Sequence, residues 1–130
     1  MQRNEIPVYD PHAVVLLASF GATDVLLTAD AESNVTSTLR LPPVEILKVA
    51  HHGSLDPGLP DLLRRLRPRI GVIEVGKHND YGHPRPQTLA ALAASPGLRV
   101  YRTDENGRIV VESDGSTLTV RAERGVGSSS

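Results

Sequence analysis

Two stretches place imidazoles where an apolar run gives way to glycine: Leu47-Lys48-Val49-Ala50-His51-His52-Gly53-Ser54 and, further on, Asn79-Asp80-Tyr81-Gly82-His83-Pro84. A histidine can ligate a metal ion or move a proton near neutral pH. A buried strand fixes the direction of the side chain at its end, and the turn that follows leaves the ring open to a cleft, as metal hydrolases commonly require. A carboxylate stands in a comparable place, Asp30 of Leu26-Leu27-Thr28-Ala29-Asp30-Ala31-Glu32. An aspartate at the start of a helix is commonly an N-cap, worth about 1 kcal/mol. The next strand also ends in candidate ligands, however, and an Asp and a His at the carboxyl ends of neighbouring strands can share one crevice. With two oxygens, Asp30 could also bridge two ions.

If the chain stays extended through the histidine pair, His51 and His52 point to opposite faces. His51 shares a face with Val49 and is the first choice as metal ligand, with His52 hydrogen-bonding behind it or contacting substrate. The plainer alternative is a polar strand end, one histidine capping the Asp56-Pro57 turn. The segment Gly76 to Pro84 is too long for a plain turn, and such loops commonly carry function. Asn79 and Tyr81 offer hydrogen bonds to a substrate, as does Ser54, while His83 is pinned before Pro84, which restricts its backbone. A histidine so fixed can act as a general acid or donate to a phosphoryl oxygen in the transition state. The alternative is a helix entry in which His83 stacks on Tyr81. His12 and His78 follow no comparable strand and are assigned no role.

The elements that must position these groups read as follows. Ala13 to Ser19 and Asp24 to Thr28 are short apolar runs joined by Phe20-Gly21-Ala22-Thr23, a hairpin pattern. Ala31 to Leu41 suits a short helix stopped at Pro42-Pro43, and Val44 to Ala50 a buried strand. Leu59, Leu62, Leu63 and Leu66 fall at helical spacing, with Arg64, Arg65 and Arg67 toward the C-terminal end. Ile70 to Val75 reads as a strand and Gln87 to Ala94 as a helix. From Leu98 the pattern alternates through three runs with turns at Asp104 to Gly107 and Asp114-Gly115, which predicts a meander. The order is ββα-βα-βα-βββ, an α/β layer with one mixed sheet covered by helices.

The length of 130 residues and 39% hydrophobic content suit one domain with an aliphatic core, since there is one Phe and no Trp. Residues 1–124 are expected to form it, with 125–130 a flexible Gly/Ser tail. Without cysteine, any metal must be held by His, Asp or Glu. A net charge of −1 provides no general attraction for nucleic acid. No apolar run approaches the roughly 18 residues of a membrane span, so a soluble segment is expected. Nucleophilic catalysis by cysteine is excluded, and Ser54 lacks the turn context of a serine nucleophile.

Taken in order, LLTADAE, PPVEILKVAHHGS, RPRIGVIEVG, NDYGHP and RVYRTDENGRIVV resemble the C-terminal half of the metallo-β-lactamase-fold domain of ComEC-type competence proteins, over residues 13–112. The resemblance implies half of an αββα sandwich and a metal-dependent phosphodiesterase or nuclease that serves DNA uptake. It implies two divalent ions, Zn or Mn, in a complete domain. Asp30 would match the bridging carboxylate, His51 with His52 the late histidine box, and His83 the histidine of the YGHP box. The implied location is an appendage of a bacterial membrane protein, with no membrane insertion by this segment.

The early H-x-H-x-D-H motif of that family does not occur in these residues, and Ala29 replaces the usual glycine before the aspartate. Half of the expected ligands are therefore missing. The leading expectation is a partial site, inactive until an N-terminal half is supplied, with single-stranded DNA as a candidate substrate. The alternatives are a site completed by a second chain and a non-catalytic domain that binds a partner or nucleic acid. One half alone would also expose the sheet face that the other half covers.

Overall fold

A computed structural model describes residues 2–7, 14–28, 36, 39–76, 82–125 and 128–129. Among these, nine strands and three helices alternate as α/β. The strands are β1 (Gln2–Pro7), β2 (Val14–Phe20), β3 (Thr23–Leu27), β4 (Ile46–Lys48), β5 (Ile70–Ile73), β6 (Arg99–Arg102), β7 (Ile109–Ser113), β8 (Leu118–Ala122) and β9 (Ser128–Ser129). The helices are α1 (Leu59–Leu66), α2 (Pro86–Ala93) and the single turn α3 (Thr103–Asn106), and a 3-10 turn spans Ala50–Gly53. Seven strands form one mixed sheet in the order β1-β2-β3-β4-β5-β6-β9, while β7 and β8 pair only with each other.

The central strands β3, β4, β5 and β6 run parallel, with Leu27 beside Lys48, Lys48 beside Val72 and Ile73 beside Arg102. Parallel strands are covered on both faces and so read as continuous apolar runs rather than alternating ones. Leu26, Leu47, Ile73 and Val100 point to one face and pack with Leu59, Leu62, Leu63 and Leu66 of α1 and Leu92 of α2. Every leucine that the helical spacing of α1 assigned to the core is buried there.

On the other face Ile46, Ile70 and Tyr101 are buried beneath Ile109, Val111, Leu118 and Val120 of the β7–β8 hairpin. The expected meander is therefore corrected. β6 pairs in parallel with β5 and antiparallel with β9, and the turn of α3 redirects the chain so that β7 and β8 cross the sheet as a separate layer. The hairpin is fastened where Ala22 N donates to Gly115 O at 2.6 Å and Thr23 Oγ1 meets Ser113 Oγ at 2.8 Å. Gly21 makes this approach feasible: its φ is +59°, and a Cβ there would sit 2.5 Å from Gly115 O. Coverage is incomplete. A cleft of about 390 Å³ remains between hairpin and sheet, lined by Val25, Leu27, Ile46, Val72 and Phe20 among others, and Phe20 is 49% exposed.

β1 and β9 were not foreseen; β9 falls within the Gly/Ser tail. Most of the helix expected over 31–41 lies outside the described residues, apart from the fully buried Thr36 and from Leu39 and Leu41, which pack on the helix-side core.

Candidate functional site

The parallel register delivers four chain segments to one edge of the sheet, those leaving β3 after Leu27, β4 after Lys48, β5 after Ile73 and β6 after Arg102. In open α/β sheets ligands bind in the crevice outside such carboxyl ends. The edge is stitched by backbone and threonine hydrogen bonds. Thr28 Oγ1 donates to Lys48 O at 2.7 Å, and Val49 N donates to Val72 O at 2.8 Å. Thr103 Oγ1 accepts from Val75 N at 2.8 Å and donates to Val75 O at 2.9 Å, closing both backbone groups of the residue at the root of the histidine-bearing loop.

The two histidine boxes meet at this edge. Gly53 has φ +80°, and a Cβ on it would lie 2.7 Å from Pro84 Cβ, so the absent side chain is what lets the boxes touch. Arg85 N donates to Gly53 O at 2.9 Å, and Thr88 Oγ1 at the start of α2 donates to Ser54 O at 2.7 Å. His83 is half-buried, one residue from the contact, and its peptide bond to Pro84 is cis. Ser54 is also half-buried.

The strand argument for His51 over His52 does not survive. β4 ends at Lys48, and both histidines lie in the 3-10 turn Ala50–Gly53, so alternation between two faces does not apply. Successive residues in such a turn are roughly 120° apart around its axis, which leaves the choice of ligand open. Their side chains, together with Asp30, Asn79 and Tyr81, lie outside the described set. Among the described residues no group of three or more His, Asp or Glu could hold a metal ion. The described residues alone therefore do not make a metal centre.

Two further carboxylates beside the central strands are already paired. Glu45 Oε1 accepts from Asp24 N at 2.7 Å at the opposite edge of the sheet, and Glu74 pairs with Lys48 at 3.6 Å. What the sequence reading missed is the group after β6. Arg102 binds Asp104 in bidentate fashion at 2.8 and 3.1 Å and reaches Glu105 at 3.2 Å. The hydrogen bond to Asp104, opposed by desolvation and aided by both carboxylates, raises the guanidinium above its ordinary value. Buried Asn106 accepts from Arg102 N and donates to Arg124 O, tying the edge to the end of the hairpin. A threonine closing a strand and followed by two acids was the available signal in Thr103-Asp104-Glu105.

Two curated proteins are similar to this chain. ComE operon protein 3 of Bacillus subtilis is 34% identical over 101 residues, covering 75% of this chain and 13% of that protein. Recombination protein 2 of Haemophilus influenzae is 32% identical over 83 residues, covering 62% of this chain and 10% of that protein. These homologues indicate a competence-related protein family, of whose members the chain spans only a small part. No family model and no solved structure matches. Among the described residues no helix is long and apolar enough to cross a membrane.

Proposed function

We propose that the chain is the C-terminal portion of a metallo-β-lactamase-type phosphodiesterase or nuclease domain of the ComEC type, acting in DNA uptake, and that it lacks turnover until an H-x-H-x-D-H-bearing half is supplied. The observation that carries the reading is the junction of the HHGS and GHP boxes through Gly53 and Pro84 at the carboxyl edge of the parallel strands. The similarity to two competence-related proteins supports the biological setting.

In this reading Asp30 and one histidine of the pair supply part of a ligand set for a divalent cation, Zn or Mn, whose other donors come from the missing half. Such an ion would polarise a phosphoryl oxygen and lower the pKa of bound water. His52 or His83 donates a hydrogen bond to the phosphodiester as charge develops, while Ser54, Asn79 and Tyr81 orient it. Thr103, through its hydroxyl on the Val75 backbone, and Pro84, packed against Gly53, hold the root and the end of the loop that carries His83. The open part of the second sheet face receives the missing half.

The test is hydrolysis of single-stranded DNA with Mn²⁺ or Zn²⁺ by the chain alone and after joining it to the missing half. Turnover only in the joined protein, lost in Asp30→Asn, is the expected result. Turnover by the monomer alone overturns the proposed incompleteness, turnover by a metal-dependent dimer shifts the reading to self-completion, and none in any form leaves a non-catalytic binding domain.

A further inference from the structure

A second cleft, of about 520 Å³, lies between α1 and α2 on the outer side of the helical layer, away from the histidine boxes. Its floor is apolar, from Leu63, Ala91 and Ala94, its rim carries Arg64 and Arg67, and no acidic or aromatic residue lines it. The size lies within the range of about 300–1,000 Å³ that binding clefts occupy.

Arg67 is the anomaly. It ends α1 in the left-handed conformation, with φ 46° and ψ 54°, a position that glycine or asparagine ordinarily takes because a Cβ is disfavoured there. Its backbone N–H caps the helix on Leu63 O, yet its exposed side chain has no partner among the described residues. A backbone held where it costs stability points from the outlier to a use. Here it places a guanidinium at the mouth of an apolar groove. Arg64, one turn earlier, pairs with Asp61 at the surface, so the rim is positive but only partly neutralised.

We infer that this cleft docks an acidic amphipathic helix of a partner protein, its apolar anchors on Leu63 and Ala91 and its carboxylates on Arg67 and Arg64. Helices bind grooves in this way through side chains spaced three and four apart. Charge complementarity selects an acidic partner, because both side-chain charges on the rim are guanidinium groups that accept carboxylates in bidentate geometry. A nucleic-acid strand is the poorer occupant. Sequence-tolerant strand binding relies on aromatic stacking, none lines the cleft, and phosphates alone would leave the apolar floor empty.

The experiment pans a displayed helical peptide library against the full chain and measures the enriched peptides on Arg67→Gly and Arg64→Gln variants. Arg67→Gly relieves the left-handed strain and should raise the thermal midpoint, so a loss of binding cannot be ascribed to unfolding. The expected result is enrichment of peptides with apolar residues three or four apart and Asp or Glu beside them, with affinity falling about tenfold or more in Arg67→Gly. No enrichment, enrichment of basic peptides, or equal binding by Arg67→Gly overturns the inference. So does displacement of the peptides by oligothymidylate with the same dependence on Arg67, which assigns the cleft to nucleic acid.

Discussion

The two faces of the central sheet are finished to different degrees. On the helix side Leu26, Leu47, Leu66, Ile73, Leu92 and Leu98 are essentially inaccessible to solvent. On the hairpin side Ile46, Ile70 and Tyr101 are buried less completely, their neighbours Val25, Val72, Ile109 and Val111 are partly open, and a cleft persists. The same strands thus supply a closed core to one side and an unfinished contact to the other. The difference teaches that the fold's stability and its partnerships are separable: the helical layer holds the strands, and through them the carboxyl edge, whether or not the second face is covered.

The largest expected effect sharpens that contrast. Leu47→Ala or Leu66→Ala should cost about 2–5 kcal/mol in urea unfolding, through lost transfer energy and a cavity that the packed layer cannot close. Val72→Ala, on the open side, should cost about 1 kcal/mol, because less area is removed from contact. Equal losses would break the comparison. Gly53→Ala comes next, at about 2–4 kcal/mol, since it combines a left-handed backbone with a Cβ driven into Pro84; a loss much smaller than this would mean that the histidine boxes are not held together.

Thr103→Val should cost about 1–2 kcal/mol by leaving the Val75 N–H and C=O without their partner. Amide hydrogen exchange should then rise at Val75 and the following loop while α1 is unchanged. Phe20→Ser should leave the unfolding midpoint nearly unmoved but reduce self-association seen by light scattering, as its ring is half exposed at the open cleft. The smallest effect lies at the hairpin turn. Backbone N–H bonds from Thr117 and then Ser116 hold the Asp114 carboxyl below its ordinary value. A depressed carboxylate contributes stability above its unfolded pKa and loses it as the pH falls through the folded one. Asp114→Ala should therefore be slightly less stable than the parent at neutral pH, and the difference should vanish in strong acid.

How much of this was legible depended on whether the determining contacts were local. α1 and α2 declared themselves through leucine spacing, prolines at their starts and stops, and an alanine-rich run, all of which act within a few residues. The parallel strands were legible as uninterrupted apolar runs. The destination of β7 and β8 was not, because alternation marks a half-buried strand without saying which strand it joins, and the turn after β6 looks the same in a meander as in a crossing hairpin. β1, with the sequence QRNEIP, carries no apolar pattern and depends on pairing with β2 for its existence.

At the candidate site the arrival of the histidine pair after β4 and of the His83 segment after β5 was legible. The contact between Gly53 and Pro84, and the threonine clamp on Val75, join positions 31 and 28 residues apart and carry no local signature. The strand argument that favoured His51 over His52 assumed that the strand continues through the pair, whereas the 3-10 turn begins at Ala50.

The central claim is that the segment after β3, the histidine pair and His83 share one cation-binding edge. Titration of the isotope-labelled chain with Mn²⁺, read as paramagnetic broadening of assigned amide and imidazole resonances, tests it most directly. The account predicts that residues 28–31, 49–54 and 82–84 broaden together at low metal, that Asp30→Asn abolishes the effect, and that residues 109–122 of the hairpin stay sharp. Broadening centred on the Glu112 to Asp114 turn, or unchanged in Asp30→Asn, would contradict it.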